Sequence, residues 1–151
     1  MRFDRLELSR FGHFTDAAVD FPAPDGGPDL HLVLGANEAG KSTLRAAVGE
    51  LLFGFDRTTP YNFRHDYADL LLGAVLRDGG TVEAVRRTKG ARDTLRRPDG
   101  GVLPDGHLAP LLGAMDKATL ARELALDHAG LVAGGRRLLE NRDDLSRLLF
   151  E

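Results

Sequence analysis

No cysteine occurs among the 151 residues, which excludes disulfides, thiolate metal sites and a cysteine nucleophile. No apolar run approaches the length of about 20 residues that a membrane-spanning helix needs. The charged N-terminus, Met1 to Arg5, has no apolar core of the kind that a secretory signal requires. These absences predict a cytoplasmic protein that does not contact a membrane.

An excess of positive charge is also missing, since the formal net charge is -3 at pH 7. Domains that grip nucleic acid over their whole surface are usually strongly basic, so any contact with DNA must be local. The length and the ordinary shares of apolar and charged residues predict one globular domain over residues 1–151.

The most specific motif is a glycine-rich loop that follows a short apolar run. Leu30, Leu32, Val33 and Leu34 predict a strand, and residues 35–42 then read G-x-x-x-x-G-K-[ST], the P-loop pattern. Apolar residues at helical spacing follow the loop, and Gly54 is placed to end that helix. The pattern predicts the strand, loop and helix of a nucleotide site. A glycine-rich turn before an ordinary helix is the plain alternative.

The residue types of this loop fit the chemistry of Mg-ATP. Its glycines let the backbone wrap a phosphate with N–H groups pointing inward, and a helix beginning near Gly40 aims its positive end at the same anion. We predict that Lys41 reaches the β- and γ-phosphates, that the Ser42 hydroxyl ligates Mg²⁺ and that Thr43 lies near the α-phosphate. The predicted cofactor-binding residues are Gly35, Ala36, Asn37, Glu38, Ala39, Gly40, Lys41, Ser42 and Thr43.

Alternating apolar residues and turn signals predict strands on both sides of the loop. The further predicted strands are Arg2 to Ser9, Ala17 to Phe21, Leu70 to Arg77, Thr81 to Thr88 and Arg92 to Arg97. Asp78-Gly79-Gly80 is a hairpin signal between two of them. The polar and aromatic stretch Asp56 to Asp69 has no period and is predicted to be a long loop near the nucleotide, or else a plain surface connection.

From Leu108 onward the pattern becomes helical. Asp116 is predicted to cap a helix running to about Leu126, and a final helix starts at Asn141 or Asp143 and runs through Phe150. That last apolar stripe has no stop signal, so we expect the chain to be cut rather than finished. The predicted fold is α/β, a P-loop NTPase half-domain. A mixed sheet with an antiparallel part frames the nucleotide, and the regions are 1–55, 70–103 and 108–151.

A basic cluster stands out in this acidic chain. It could contact a DNA phosphate backbone, and a solvated hairpin face is the competing explanation. Its members are Arg86, Arg87, Lys89, Arg92, Arg96 and Arg97.

Three stretches resemble the N-terminal lobe of the SMC and SbcC-type ATPases: Leu6 to Phe14, Val19 to Phe21 and Leu34 to Leu44. Leu124 to His128 and Gly134 to Leu139, with the ending Leu148-Leu149-Phe150, are most similar to the YhaN-type branch. The resemblance implies a following coiled coil and a C-terminal lobe with Walker B acids and a signature motif. It also implies a second head that closes on ATP to form a dimer.

The resemblance implies further roles for a few side chains. Arg10 to His13 should lie near the base or phosphates, which makes Arg10 and His13 cofactor-binding candidates, unless this is a turn that packs on the core. His128 occupies the place of a Q-loop glutamine. Asp127 or His128 could then hold Mg²⁺ through water, with a helix-terminal cap as the alternative.

No catalytic residue is identified in the chain. Ala74 to Asp78 fails as a Walker B strand because Arg77 interrupts the run and a glycine follows the acid. Val132 to Arg136 has Ala133 where a signature serine would stand, and it predicts a Gly-Gly turn between helices. We therefore expect binding of ATP with little hydrolysis. The alternatives are a small P-loop kinase with Arg86 to Arg97 as its lid, or an assembly module that docks through Leu145 to Phe150.

Overall fold

A computed structural model describes residues 1–27, 29–121 and 128–140. The chain divides into two compact units, Met1–Met115 and Asp116–Glu151. The strands are β1 (Arg2–Phe11), β2 (Phe14–Asp20), β3 (Leu71–Asp78), β4 (Thr81–Thr88) and β5 (Leu95–Arg96). The helices are α1 (Lys41–Phe53), α2 (Ala109–Leu112), α3 (Lys117–Thr119) and α4 (His128–Glu140), and a 3-10 turn covers Tyr67–Asp69.

The five strands form one antiparallel sheet in the order β2-β1-β3-β4-β5. Two tight hairpins, β1–β2 and β3–β4, lie side by side because β1 pairs with β3, with Leu8 opposite Leu72. The second hairpin turns at Gly79-Gly80, as predicted. Four of the predicted flanking strands are confirmed within a few residues, and the fifth is reduced to the two residues of β5.

One face of the sheet packs against α1 to make the core of the first unit. Alternate residues of β1 and β3, such as Leu6, Leu8 and Leu72, are fully buried. From α1, Ala47 and Leu51 are fully buried in the same cluster. The helix predicted after the loop is therefore confirmed, with one side buried, and the sheet fixes the axis of this helix.

Charged pairs join β1 to β3 near the start of the chain. The Arg77 guanidinium donates to Oδ2 of Asp4 with Nε at 2.8 Å, and Arg2 Nε lies 3.1 Å from the other carboxylate oxygen. The hydrogen bond from Arg77 holds the pKa of the Asp4 carboxyl below its usual value, with a smaller contribution from Arg2. These contacts tie the first residues of β1 to the end of β3.

The segment before the loop differs from the prediction, because residues 30–34 form no strand. The side chains of Leu30, Leu32 and Leu34 are 83%, 79% and 80% exposed. A strand is held by a hydrogen-bonded neighbour, and the described part of the chain offers this segment none. The prediction of a mixed sheet is therefore wrong for the described residues, whose sheet is wholly antiparallel.

The second unit begins with the predicted helix cap. The Asp116 carboxylate accepts a hydrogen bond from the Thr119 backbone at 2.7 Å, ahead of α3. Gly134 and Gly135 lie inside α4, so the predicted Gly-Gly turn is wrong. The predicted final helix falls on residues 141–151, outside the described residues. No helix among the described residues is long and apolar enough to span a bilayer.

Candidate functional site

The glycine-rich loop enters α1 through Gly40. This residue has a φ of 92°, in the left-handed region that glycine adopts readily. A Cβ here would collide with Cε1 of His13 and lie 2.6 Å from Cζ of Phe14. Both the backbone angle and the lack of space therefore require glycine where the helix begins, as the motif predicts.

The middle of the loop is tightly curled. Glu38 has a φ of 63°, unusual for a residue with a side chain, and the Ala39 backbone donates to Ala36 O at 3.2 Å. At Gly35 a Cβ would lie 3.1 Å from that of Ala39, so the ends of the curl approach closely. Left-handed residues within such a turn make a backbone concavity of the kind that binds anions.

Lys41 closes the mouth of this loop. Its Nζ donates to Gly35 O and to Ala36 O, each at 2.7 Å, so the ammonium group spans the curl. The side chain is exposed, and its contacts are to neutral carbonyls rather than to a carboxylate. The charge of Lys41 is therefore available to an anion that enters the loop.

An open cavity of about 420 Å³ lies over the loop and the first turn of α1. This volume is in the range of small-ligand sites. Lys41 and Ser42 line it together, with the Ser42 hydroxyl exposed, whereas Thr43 is only 8% exposed and packs beside Gly12. The lining residues are His13, Asn37, Glu38, Gly40, Lys41, Ser42, Thr43 and Phe63.

Two lining residues come from outside the loop. The turn between β1 and β2 places His13 against Gly40, with its ring centroid 4.0 Å from that of Phe14. Phe63 belongs to the long connection between α1 and β3, which sequence reasoning placed near the nucleotide without singling out this residue. Its one signal in the sequence is a large aromatic residue within a polar stretch.

A family model described as AAA domain matches residues 1–151, which is the whole chain. The chain belongs to the AAA domain family. Members of this family generally use ATP and Mg²⁺. The chain is also 30% identical over 104 residues to "Uncharacterized protein YhaN" of Bacillus subtilis (strain 168). That match takes in 63% of this chain but 9% of the relative, so the chain spans a small part of that protein's length.

The AAA domain places Arg10 differently from His13. The Arg10 Nε donates to the Asp69 carbonyl at 2.7 Å, and Arg10 does not line the cavity. The side chain supports the segment that leads into β3. Of Arg10 and His13, the two cofactor-binding candidates that the resemblance implies, the structure brings only His13 to the loop.

The basic cluster of the AAA domain divides between two faces of the sheet. Arg86 is exposed and lies opposite Arg96 in the β4–β5 register. Arg87 points inward and is 3% exposed, with its Nε donating to Leu51 O at 2.8 Å. Burial lowers the pKa of the Arg87 guanidinium from its usual value, although nearby Asp105 acts in the opposite direction. The prediction that Arg87 contacts DNA is therefore wrong, because its donors are used inside the fold.

Two predicted metal-site residues lie at or beyond the edge of the described structure. Asp127 is outside the described residues, and His128 begins α4 without a described side chain. Among the described residues, no group of three or more His, Asp or Glu side chains could hold a metal ion. The predicted Mg²⁺ contact of Ser42 stays a prediction. A single hydroxyl suits a cation that keeps its waters and binds mainly to substrate phosphates.

The two motifs that were rejected as catalytic lie in β3 and in α4. Asp78 ends β3 and lies 2.9 Å from the N-terminal ammonium group, with no place in the cavity. Val132 to Arg136 lie within α4. Of the described residues that line the cavity, Glu38 alone carries a carboxylate, and it belongs to the curled loop itself.

Proposed function

We propose that this AAA domain is the ATP-binding N-terminal lobe of an SMC/SbcC-like ATPase of the YhaN type, acting in DNA metabolism or repair. The observation that carries the proposal is the curled loop Gly35 to Ser42, which opens on a cavity at the first turn of a 13-residue helix. The similarity to YhaN supports the choice of branch.

Each group in the cavity has a task in binding Mg-ATP. Backbone N–H groups of the loop hold the phosphates, helped by the positive end of α1. Lys41 exchanges its two carbonyl contacts for the β- and γ-phosphate oxygens, and Ser42 ligates the cation. Thr43 lies near the α-phosphate. These residues bind and position the nucleotide, and none of them activates water.

Hydrolysis then depends on parts that this chain does not supply. We assign the water-activating acid and the signature motif to a C-terminal lobe, and the closing of the site to a second head. The exposed leucines before the loop support such a lobe, since Leu30, Leu32 and Leu34 form an apolar edge that no strand among the described residues pairs with. Strands from another lobe would cover these side chains and pair with this backbone.

Thermal unfolding with and without Mg-ATP tests the binding site. At a concentration about 100 times Kd, a ligand adds about 2.7 kcal/mol to stability, which raises the melting temperature by several degrees. Lys41→Ala removes the charge that bridges the loop and should abolish this shift. Lys89→Ala is the matched control, because Lys89 lies over the Tyr67 ring and not in the cavity.

The same preparations separate the proposal from its rivals. Binding that needs Lys41, with turnover near background, supports the lobe. If Mg-ATP does not raise the melting temperature of the native chain, or raises it equally in Lys41→Ala, the proposal is wrong. The result would then favour an assembly module whose loop has only a structural role. Multiple turnover by the 151-residue chain alone would contradict the need for a second lobe.

We further propose that the exposed face of β4 and β5 contacts the DNA backbone. Arg86 and Arg96 are cross-strand neighbours there, and two like charges held this close favour an anionic partner. The exposed or half-buried members of this surface are Arg86, Lys89, Arg92, Arg96 and Arg97.

A further inference from the structure

Phe63 is a large aromatic residue that the fold leaves uncovered. Its side chain is 66% exposed, although a buried phenylalanine would contribute about 1.5–3 kcal/mol to stability. The ring borders the cavity over the P-loop rather than open surface away from it. An apolar ring kept at the mouth of a polar cavity suggests a ligand with a flat apolar part.

The residues on both sides of Phe63 are fixed to the β1–β2 turn. The Gly12 backbone donates to Tyr61 O at 2.8 Å, and the Arg64 guanidinium donates to His13 O at 2.9 Å. His65 Nε2 lies 2.8 Å from Phe14 O. The ring of Tyr61 also stacks on that of buried Phe11, at 4.8 Å between centroids. Phe63 is therefore displayed by a well-anchored segment, which lowers the entropy cost of binding a partner.

The position of Phe63 relative to the P-loop defines what it faces. Thr43 follows Lys41 and Ser42 in the first turn of α1, and its methyl group lies beside Gly12. A Cβ on Gly12 would lie 2.6 Å from that methyl and 3.5 Å from Cζ of Phe63. Thr43 and Gly12 thus lie between the first turn of α1 and the aromatic ring. Lys41 and Phe63 line the same cavity, so a nucleotide with its phosphates at Lys41 can place its base against this ring.

We infer that Phe63 is the stacking platform for the base of the nucleotide held by the P-loop, and that it favours purines over pyrimidines. This inference rests on the proposed nucleotide binding and adds the residue that selects the base. Stacking on an aromatic ring grows with the area of the base, so a purine gains more than a pyrimidine.

Titration calorimetry of the 151-residue chain with three ligands tests the assignment. The ligands are Mg-ATP, Mg-CTP and Mg-tripolyphosphate, which has the phosphates without a base. In Phe63→Leu, the affinity for ATP should fall about tenfold while the affinity for tripolyphosphate is unchanged. Phe63→Tyr, which keeps the ring, should bind ATP as the native chain does. Because Phe63 is exposed, neither change disturbs the core.

Each result bears on a distinct claim. ATP binding that needs Lys41 but is equal in Phe63→Leu and the native chain would overturn the stacking role and leave the proposed function intact. An equal loss for ATP and tripolyphosphate would show that Phe63 shapes the loop, and would also overturn it. No Lys41-dependent binding of any ligand would overturn both claims. Native affinity for CTP equal to that for ATP would overturn the purine preference.

Discussion

At the scale of single residues, two glycines with nearly the same φ separate the cost of steric crowding from the cost of backbone strain. Gly40 has a φ of 92° and Gly100 a φ of 93°. Beside Gly40 stand the rings of His13 and Phe14, whereas a Cβ on Gly100 would meet nothing within 4 Å. Comparing alanine variants of the two glycines therefore gives the energetic cost of crowding between the β1–β2 turn and the P-loop.

Gly100→Ala should lower the free energy of unfolding by about 1–2 kcal/mol, the cost of a left-handed backbone for a residue with Cβ. Gly40→Ala should cost about 1–3 kcal/mol more, because the His13 and Phe14 rings must move. Urea denaturation of both variants gives the difference. Equal losses would show that the two rings yield freely and that the crowding has no energetic weight.

At the scale of an element, α1 is held at both ends. Its first turn belongs to the P-loop, and its last carbonyls accept hydrogen bonds from Arg87, at 2.8 Å to Leu51 O and 3.2 Å to Leu52 O. A buried cation at this end also suits the negative end of the helix dipole. The side chain is kept in place by Thr94, whose Oγ1 lies 3.2 Å from an Arg87 nitrogen.

Arg87→Met keeps most of the side-chain volume but leaves these carbonyls without donors, so it should cost about 2–3 kcal/mol of stability. Arg86→Met, the exposed neighbour on β4, should stay within about 0.5 kcal/mol of the native chain. Chemical denaturation compares the two variants directly. A loss in Arg87→Met no larger than in Arg86→Met would contradict the capping role.

Local signals predicted most of the elements, and partners in space decided the exceptions. The Gly79-Gly80 turn and the motif glycines act within a few residues, so the second hairpin and the start of α1 were predictable. The segment Leu30 to Leu34 has the composition of a strand, but a ladder needs a neighbour that a local pattern cannot provide. The same limit explains β5, which was predicted longer than its pairing with β4 allows.

In the candidate site too, local signals predicted some residues and contacts in space decided the others. The residues of the P-loop follow from the motif, whereas Phe63 reaches them through contacts with the turn at Gly12, which no local pattern encodes. Arg86 and Arg87 are neighbouring residues of the same type, but Arg86 is exposed whereas Arg87 is buried. Strand alternation with buried Val85 places Arg87 inward, and that inward position was the available clue.

At the scale of the whole molecule, the net charge of -3 hides an uneven distribution. Arg86 and Arg96 share one exposed face near the β5 edge of the sheet, while β1 and β2 pair Arg5 with Asp20 at 2.6 Å. A polyanion would therefore meet two neighbouring arginines at one edge and an arginine already paired with a carboxylate at the other.

Combined Arg86→Met and Arg96→Met changes should weaken binding to duplex DNA and make it less sensitive to salt. Each lost phosphate contact lowers the slope of log K against log salt by about 0.9. Fluorescence anisotropy across a salt series measures this slope. Arg5→Met is the control and should leave the slope unchanged. If the double variant keeps the native slope, the proposal that this face contacts DNA is wrong.

The ladder between β1 and β3 also closes a long loop that carries the candidate site. The stretch that this pairing closes, residues 12–70, contains the entire P-loop, α1 and Phe63. The entropy of closing so long a loop must be overcome before the ladder gains its hydrogen bonds. The loop, α1 and Phe63 are therefore enclosed by a pairing between residues far apart in the sequence rather than by local contacts alone.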